Sequence, residues 1–391
     1  MDAVSPLPAL LATLAALLTA ALIARRTGAP PAHGRFGTID GLRGFLAFFV
    51  YLHHACIWFF YLRQGEWRLP PSRLYTHFGQ SSVAMFFMIT GFLFFSKILD
   101  AGPKPLDWLR LFTSRVLRLV PAYAFAMGIL FLIVAILTQG TLQVPAGQLL
   151  HDLGCWIGFT IFGAPDLNGL AGTSLLIASV TWSLPYEWFF YLSLPVLALA
   201  ARRTSPLPYL LLGVGGVMAF AAWRPSTQLL LAFAGGIGTA LAVRREGFRR
   251  FCVRPTSAFL VLGLIALTVL GFDSAYKPGP MLLLSGAFAL IGGGNSLFGL
   301  LRSPAARTLG ETAYGLYLLH GLGLFVLFRF VVGPQAAQTL SPATHWGLVI
   351  GFVPALLAFC HLEFRLIEAP AMRATTAVTA RLRARFRRQT G

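Results

Sequence analysis

Apolar residues fall along this chain in eleven stretches, at roughly 7–24, 40–62, 79–99, 119–138, 176–200, 207–222, 226–243, 257–272, 279–300, 310–332 and 344–366. Stretches of this kind, nearly free of charge, match the length an α-helix needs to cross about 30 Å of hydrocarbon. The shorter ones must stand nearly upright or borrow flanking residues. The pattern predicts an all-α, polytopic integral membrane bundle of 10–11 transmembrane helices.

Composition agrees. Hydrophobic residues make up 57% of the 391 and charged residues only 11%, with a mean hydropathy of +0.72; a soluble domain is about a quarter charged. A net charge of +18 raises the question of nucleic acid, but the cations sit in short clusters between apolar runs, as membrane loops require. With the N-terminus outside, the inner segments hold 24 of the 31 Lys and Arg and the outer ones 5 (Arg63, Arg68, Arg73, Arg224 and Lys277). Among the inner 24 are Arg25, Arg26, Arg35, Lys104 and the tail arginines. The positive-inside rule then predicts a multi-pass protein of the cytoplasmic (inner) membrane with a cytoplasmic C-terminus. The first stretch lacks a basic n-region and is followed by Arg25-Arg26, which reads as a retained anchor rather than a cleaved leader. The chain therefore divides into an N-terminal anchor and linker (1–35), a transmembrane domain (36–373) and a basic cytoplasmic tail (374–391) suited to anionic lipid. The longest outer loop, about 139–175, contains His151, Asp152, Trp156, Asp166 and Asn168, and either shapes an acceptor site or caps the bundle. Cys56, Cys155, Cys252 and Cys360 share no close spacing, so neither a disulfide framework nor a metal site is expected.

Ionisable residues at membrane depth are costly and tend to be functional. Among the acidic residues only Glu187 falls near the middle of a stretch, about 16 Å deep at ~1.5 Å per residue. His33, His77, His151 and His345 fall in loops or at span ends, whereas His53, His54 and His320 are deep. Glu187, His54 and His320 are thus expected at one depth on three helices. Arg43 lies eleven residues before His54, three turns plus about 20°, so the two project from one face; Asp40 is near that face and His53 points away as a helix contact. Arg115 and Arg118 share a face at a helix start, and guanidinium forks suit phosphate oxygens. Gly91 and Gly292-Gly293-Gly294 permit close helix or ligand approach.

Several segments together resemble the membrane-bound acyltransferase 3 family. Ile-Asp-Gly-Leu-Arg-Gly-Phe-Leu-Ala-Phe-Phe-Val-Tyr-Leu-His-His (39–54) is similar to its Arg, ten residues, then His motif. Phe-Phe-Met-Ile-Thr-Gly-Phe-Leu (86–93), Arg115-x-x-Arg118 with Pro121, Thr-Trp-Ser-Leu-Pro-Tyr-Glu-Trp-Phe-Phe-Tyr (181–191), Thr-Ala-Tyr-Gly-Leu-Tyr-Leu-Leu-His (312–320) and Phe-Arg-Leu-Ile-Glu-Ala-Pro (364–370) come in the family's order. The stretch at 7–24 precedes the usual first helix, and no outer esterase-like domain comes after the last one, which suggests a stand-alone transferase.

The resemblance implies transfer of an acyl group, commonly acetyl, from cytoplasmic acyl-CoA to a hydroxyl of a glycan or lipid-linked sugar: an O-acetylation of the kind that modifies polysaccharides. Arg43, Arg115 and Arg118 are then expected to bind CoA phosphates. Trp182, Ser183, Tyr186 and Tyr317 are expected at the substrate. His54 is expected to act as general base or transient acyl carrier, with Glu187 orienting it and His320, beside Tyr317, stabilising the oxyanion or acting as a second base. Membrane lipid is the other expected partner, nucleic acid is not, and no metal is called for. Buried His and Glu residues also suit a proton-coupled transporter or a lipid-linked sugar flippase, although no inverted repeat accompanies them; a non-catalytic scaffold is the remaining alternative.

Overall fold

The computed structural model describes residues 2–31, 36–101, 106–223 and 225–390, apart from the side chains of Arg387, Gln389 and Thr390. The positions expected for His33, Arg35, Lys104 and Arg224 lie outside the described residues. Within them there are helices and no strands. The first half runs α1 (Pro6–Thr27), α2 (Gly37–Gln64), α3 (Arg73–Asp100), α4 (Trp108–Leu137), α5 (Ala146–Ile157), α6 (Thr173–Leu176), α7 (Leu184–Ala200), α8 (Leu207–Ala222) and α9 (Thr227–Ala242). The second half runs α10 (Glu246–Cys252), α11 (Pro255–Gly271), α12 (Pro278–Gly292), α13 (Pro304–Glu311), α14 (Ala313–Val326), α15 (Pro334–Thr339), α16 (Pro342–Glu363), α17 (Ala369–Arg373) and α18 (Thr375–Thr390).

Each apolar stretch carries a helix. Six helical runs are long and apolar enough to cross a membrane unaided: α1 to α4, α14 with its extension to Val331, and the run that starts with α16 and reaches Phe386. The others, α7, α8, α9, α11 and α12, have 15 to 17 residues, or ~23–26 Å of rise, less than the ~30 Å core. α9 and α10 meet at a bend of 109°, and α10 carries the exposed Arg249 and Arg250 at the arginine-rich end.

The helices are sorted by side-chain size as a lipid environment demands. On α1 the buried positions are Ala9, Ala12, Ala16 and Ala20, while Leu7, Leu10, Leu11, Leu14, Leu18 and Leu22 face outward. Without a hydrophobic drive between helices, small residues at the seam let backbones approach and bulky ones meet acyl chains. This anchor belongs to the bundle: it packs on α13 and α16, Trp346 Nε1 donates to Ala3 O at 3.0 Å, and Tyr75 Oη donates to Ser5 O at 2.9 Å. The tail is a helix too, docked on α4 with Arg383 paired to Asp107.

α2 and α3 form the enclosed centre. α3 crosses α9 so closely that a Cβ on Gly236 would come within 2.1 Å of Met88 O, and one on Gly91 within 2.5 Å of Phe233 O. Backbone cannot yield there as a flexible side chain can. Gly236→Ala is therefore expected to destabilise the bundle by about 1–3 kcal/mol, read as a lowered melting temperature in detergent. Gly238→Ala, two residues on with open space around it, is expected to leave stability unchanged; equal behaviour of the two variants would contradict this packing.

Candidate active site

The stretch expected as one apolar span from 176 to 200 is broken, so the single helical rise on which the expected depth of Glu187 rests does not exist. α6 ends at Leu176, Ala178 and Ser179 take left-handed conformations (φ 52° and 55°), a 3₁₀ turn covers Val180–Ser183, and α7 begins only at Leu184. Ile177 and Ala178 lie against Gly321 of α14, and Tyr317 holds the turn: its hydroxyl donates to Val180 O at 3.0 Å and is 2.7 Å from Ser183 Oγ. Glu187 thus sits in the first turn of α7.

From there Glu187 faces a cavity of about 270 Å³, lined with it by Arg43, Arg115, Arg118, Ser183, Tyr314 and Tyr317 among others. Three helix positions deliver the arginines: Arg43 from the second turn of α2, and Arg115 and Arg118 from one face of α4. Arg115 lies over Phe94 at 4.9 Å and Tyr191 at 5.9 Å. Arg118 Nη1 contacts Met372 Sδ at 2.9 Å and lies 3.7 Å from Glu368 Oε2. Its Nη2 is buried with no hydrogen-bond partner. No hydrogen bond or ion pair involves Arg43 among the described residues. The cavity therefore offers guanidinium donors that the protein itself leaves unanswered.

The two deep histidines lie beyond the Tyr317 end of this cavity. His54 Nδ1 is 3.0 Å from His320 Nε2 and 3.0 Å from Val50 O, and His320 Nδ1 is 2.9 Å from Leu316 O. One tautomeric assignment satisfies these contacts. His320 donates Nδ1–H to Leu316 and accepts at Nε2; His54 donates from Nδ1; the lone pair of His54 Nε2 is left open. Tyr317 connects cavity and histidines, one turn before His320 with ring centroids 6.3 Å apart.

On its other side His54 stacks on Trp67 (centroids 6.1 Å), which meets Trp58 edge-on at 5.7 Å. Trp58 also lines a second cavity of about 350 Å³ with Tyr61, Leu170, Gly172, Phe325 and Arg329. The 139–175 segment that roofs it is ordered. Trp156 Nε1 donates to Pro165 O at 2.9 Å, Asp166 Oδ1 accepts from the backbone N–H groups of Gly172 and Thr173, and Asn168 Nδ2 donates to Thr138 and Thr141.

The structure thus brings together Arg43, Arg115, Arg118, Ser183, Glu187 and Tyr317 in one group, and His54 with His320 in an adjacent one. Glu187 does not orient His54: its carboxylate accepts from Tyr191, one turn on along α7. His320 occupies that place. Trp182 and Tyr186 do not line the cavity; they belong to an aromatic cluster with Phe87, Phe220, Trp223 and Tyr276, and Tyr186 Oη accepts from Ser226 N–H. His53 is a helix contact, 2.7 Å from Tyr75 O and against Gly79. Sequence reasoning missed Glu363 and Glu368, counted as span-end carboxylates yet 3% and 0% exposed. The available signal was Glu368 within the Phe-Arg-Leu-Ile-Glu-Ala-Pro segment. Among the described residues no cluster of ligating side chains suits a metal.

Comparison with known proteins matches residues 36–362 to the family model described as an acyltransferase domain. Nodulation protein 10 of Rhizobium leguminosarum bv. viciae is 25% identical over 89% of this chain and 96% of its own length. Acyltransferase MdmB of Streptomyces mycarofaciens is 25% identical over 88% of this chain and 93% of its own. No solved structure matches. An arginine-lined cavity next to a histidine pair, in a polytopic helical bundle that matches this model over most of its length, places the chain in the acyltransferase 3 family of membrane acyltransferases.

Proposed function

We propose that the protein transfers an acyl group, acetyl in the simplest case, from acyl-CoA to a hydroxyl of a glycan or lipid-linked sugar, with the arginine-rich end facing the cytoplasm. The carrying observation is Arg118, whose Nη2 is buried in the cavity wall without a partner. A buried guanidinium arm left unmatched costs free energy that an anionic ligand would recover, and phosphate is the anion guanidinium suits best. Arg43 and Arg115 line the same space. From Arg43 to His54 is eleven residues of one helix, about 16 Å, comparable to a pantetheine arm.

In this reading the thioester passes Tyr317 and reaches His54. The imidazole Nε2 takes the proton of the acceptor hydroxyl as its oxygen attacks the thioester carbon. The carbon–sulfur bond then breaks, CoA leaves as the thiolate and regains a proton, and the ester remains on the acceptor. His320 fixes the tautomer through the 3.0 Å contact and disperses the imidazolium charge, the role a carboxylate has in a hydrolase triad. The acceptor approaches through the second cavity, where Trp58 and Tyr61 offer the flat apolar faces that sugars stack on. The arginine asymmetry of the loops supports the orientation.

The test is transfer of labelled acyl groups from acyl-CoA to the surface glycan and lipid fraction by membranes containing the full chain. His54→Ala is expected to lower transfer by about 10²–10⁴-fold at unchanged protein level, and Glu187→Gln far less; undiminished transfer in His54→Ala would exclude it as the base. Arg118→Ala is expected to raise KM for acyl-CoA by about tenfold or more, the worth of a charge-assisted hydrogen bond, with a small change in kcat. An unchanged KM would remove the arginine from donor binding, and a chain that moves no acyl group would favour a carrier.

A further inference from the structure

Glu363 closes α16, and Glu368 ends the π-helical turn Phe364–Glu368 next to it. Five residues apart on an α-helix they would point about 140° from one another. The wider π turn, with its i to i+5 hydrogen bonds, turns both inward. Gly315 of α14 gives them room: a Cβ there would lie 2.5 Å from Glu363 Oε2 and 3.5 Å from Glu368 Oε1. All four carboxylate oxygens are buried, and the two carboxyl groups face each other and the Gly315 N–H. The nearest cation is Arg118, 3.7 Å from Glu368.

Of the two arginines facing the pair only Arg118 is at ion-pair distance among the described residues, so two ionised carboxylates would leave a negative charge without a contact partner out of water, which is strongly unfavourable. One proton held between them makes the trio neutral. We propose that Glu363 and Glu368 share a single proton and act as positioning residues for Arg118, so that loss of this proton weakens donor binding. This rests on the reading that the Arg118 cavity takes the phosphates of acyl-CoA. With the proton in place, one negative charge and Met372 hold Nη1, and Nη2 is left for the ligand. With the proton gone, a second negative charge draws the guanidinium back and repels the anionic donor.

The charged and titratable groups facing the pair are Arg118 from α4, Arg43 from α2, Tyr314 from α14 and Cys360 from α16 itself. Arginine, phenol and thiol ordinarily release protons only in the alkaline range, and deprotonation of a catalytic histidine is read in kcat. Glu187 lines the same cavity and Glu311 also faces Arg118, so a KM change through the neutral range is assigned to the pair by its loss in Glu363→Gln.

The experiment measures KM and kcat for acetyl-CoA against pH with the purified full-length protein in lipid nanodiscs. Wild type is expected to show KM rising about tenfold with pH, without a parallel fall in kcat. Glu363→Gln, which keeps a hydrogen-bond donor and cannot ionise, is expected to hold KM low throughout. Glu368→Gln, which removes the anion beside Arg118, is expected to raise KM about tenfold at every pH. A flat wild-type KM, or the wild-type rise persisting in Glu363→Gln, overturns the proposal. Should Glu363→Gln fail to fold, Glu363→Asp decides: it is expected to keep the rise with a displaced midpoint, and an unmoved midpoint overturns the proposal. Absence of any saturable acetyl-CoA dependence in wild type would instead defeat the donor reading itself.

Discussion

A guanidinium buried in an apolar bundle must be answered, and Arg118 is answered only in part. One arm meets Met372 and the carboxylate of Glu368; the other meets nothing. Much of the surrounding architecture is arranged about that imbalance. α4 supplies the arginine, the π turn after α16 supplies the counter-charge, and α14 gives up a side chain at Gly315 so that the carboxylates can approach. Charges of this kind are costly where water is excluded, and an anion placed at the free arm of Arg118 would relieve that cost.

The same constraint links the two halves of the site. The cavity is lined by the arginines and also by Phe86, Phe87, Leu93 and Phe94, a surface suited to a charged head with a narrow apolar arm. Its far end is closed by Tyr317, which is tied to the 3₁₀ turn and adjoins the histidine pair. In the proposed reading a long donor would have its phosphates and its reactive end held by different helices, α4 and α2 at one end and α14 and α2 at the other. α2 contributes to both through Arg43 and His54, and Gly41 and Gly44 press it against Leu301 and Leu309, which fixes its position along the bundle.

The polytopic helical class was readable because hydrophobic length announces it, and every stretch carries a helix; among the described residues only six runs are long enough to cross unaided, and the 176–200 stretch is broken. The polar stripe of α2 was readable because helical periodicity needs no tertiary knowledge. Glu187 was misplaced because Ala178 and Ser179 adopt left-handed conformations set by docking against Gly321, which composition does not announce. The partnership of His54 with His320 rather than Glu187 goes with that break. Glu363 and Glu368 looked like solvated ends because their burial comes from a π turn, and periodicity of 3.6 cannot anticipate it. Trp182 and Tyr186 adjoin the site in sequence, yet the turn that precedes α7 sends them to an aromatic cluster that meets the cavity through Phe87.

The most direct measurement is an experimental structure of the full chain in a lipid nanodisc with a non-reactive thioether analogue of acetyl-CoA. The account predicts a phosphate oxygen within hydrogen-bond distance of Arg118 Nη2 and the thioether beyond Tyr317, within reach of His54 Nε2. An analogue bound with its phosphates away from Arg118, or with its acyl end separated from His54 by closed protein, would contradict it.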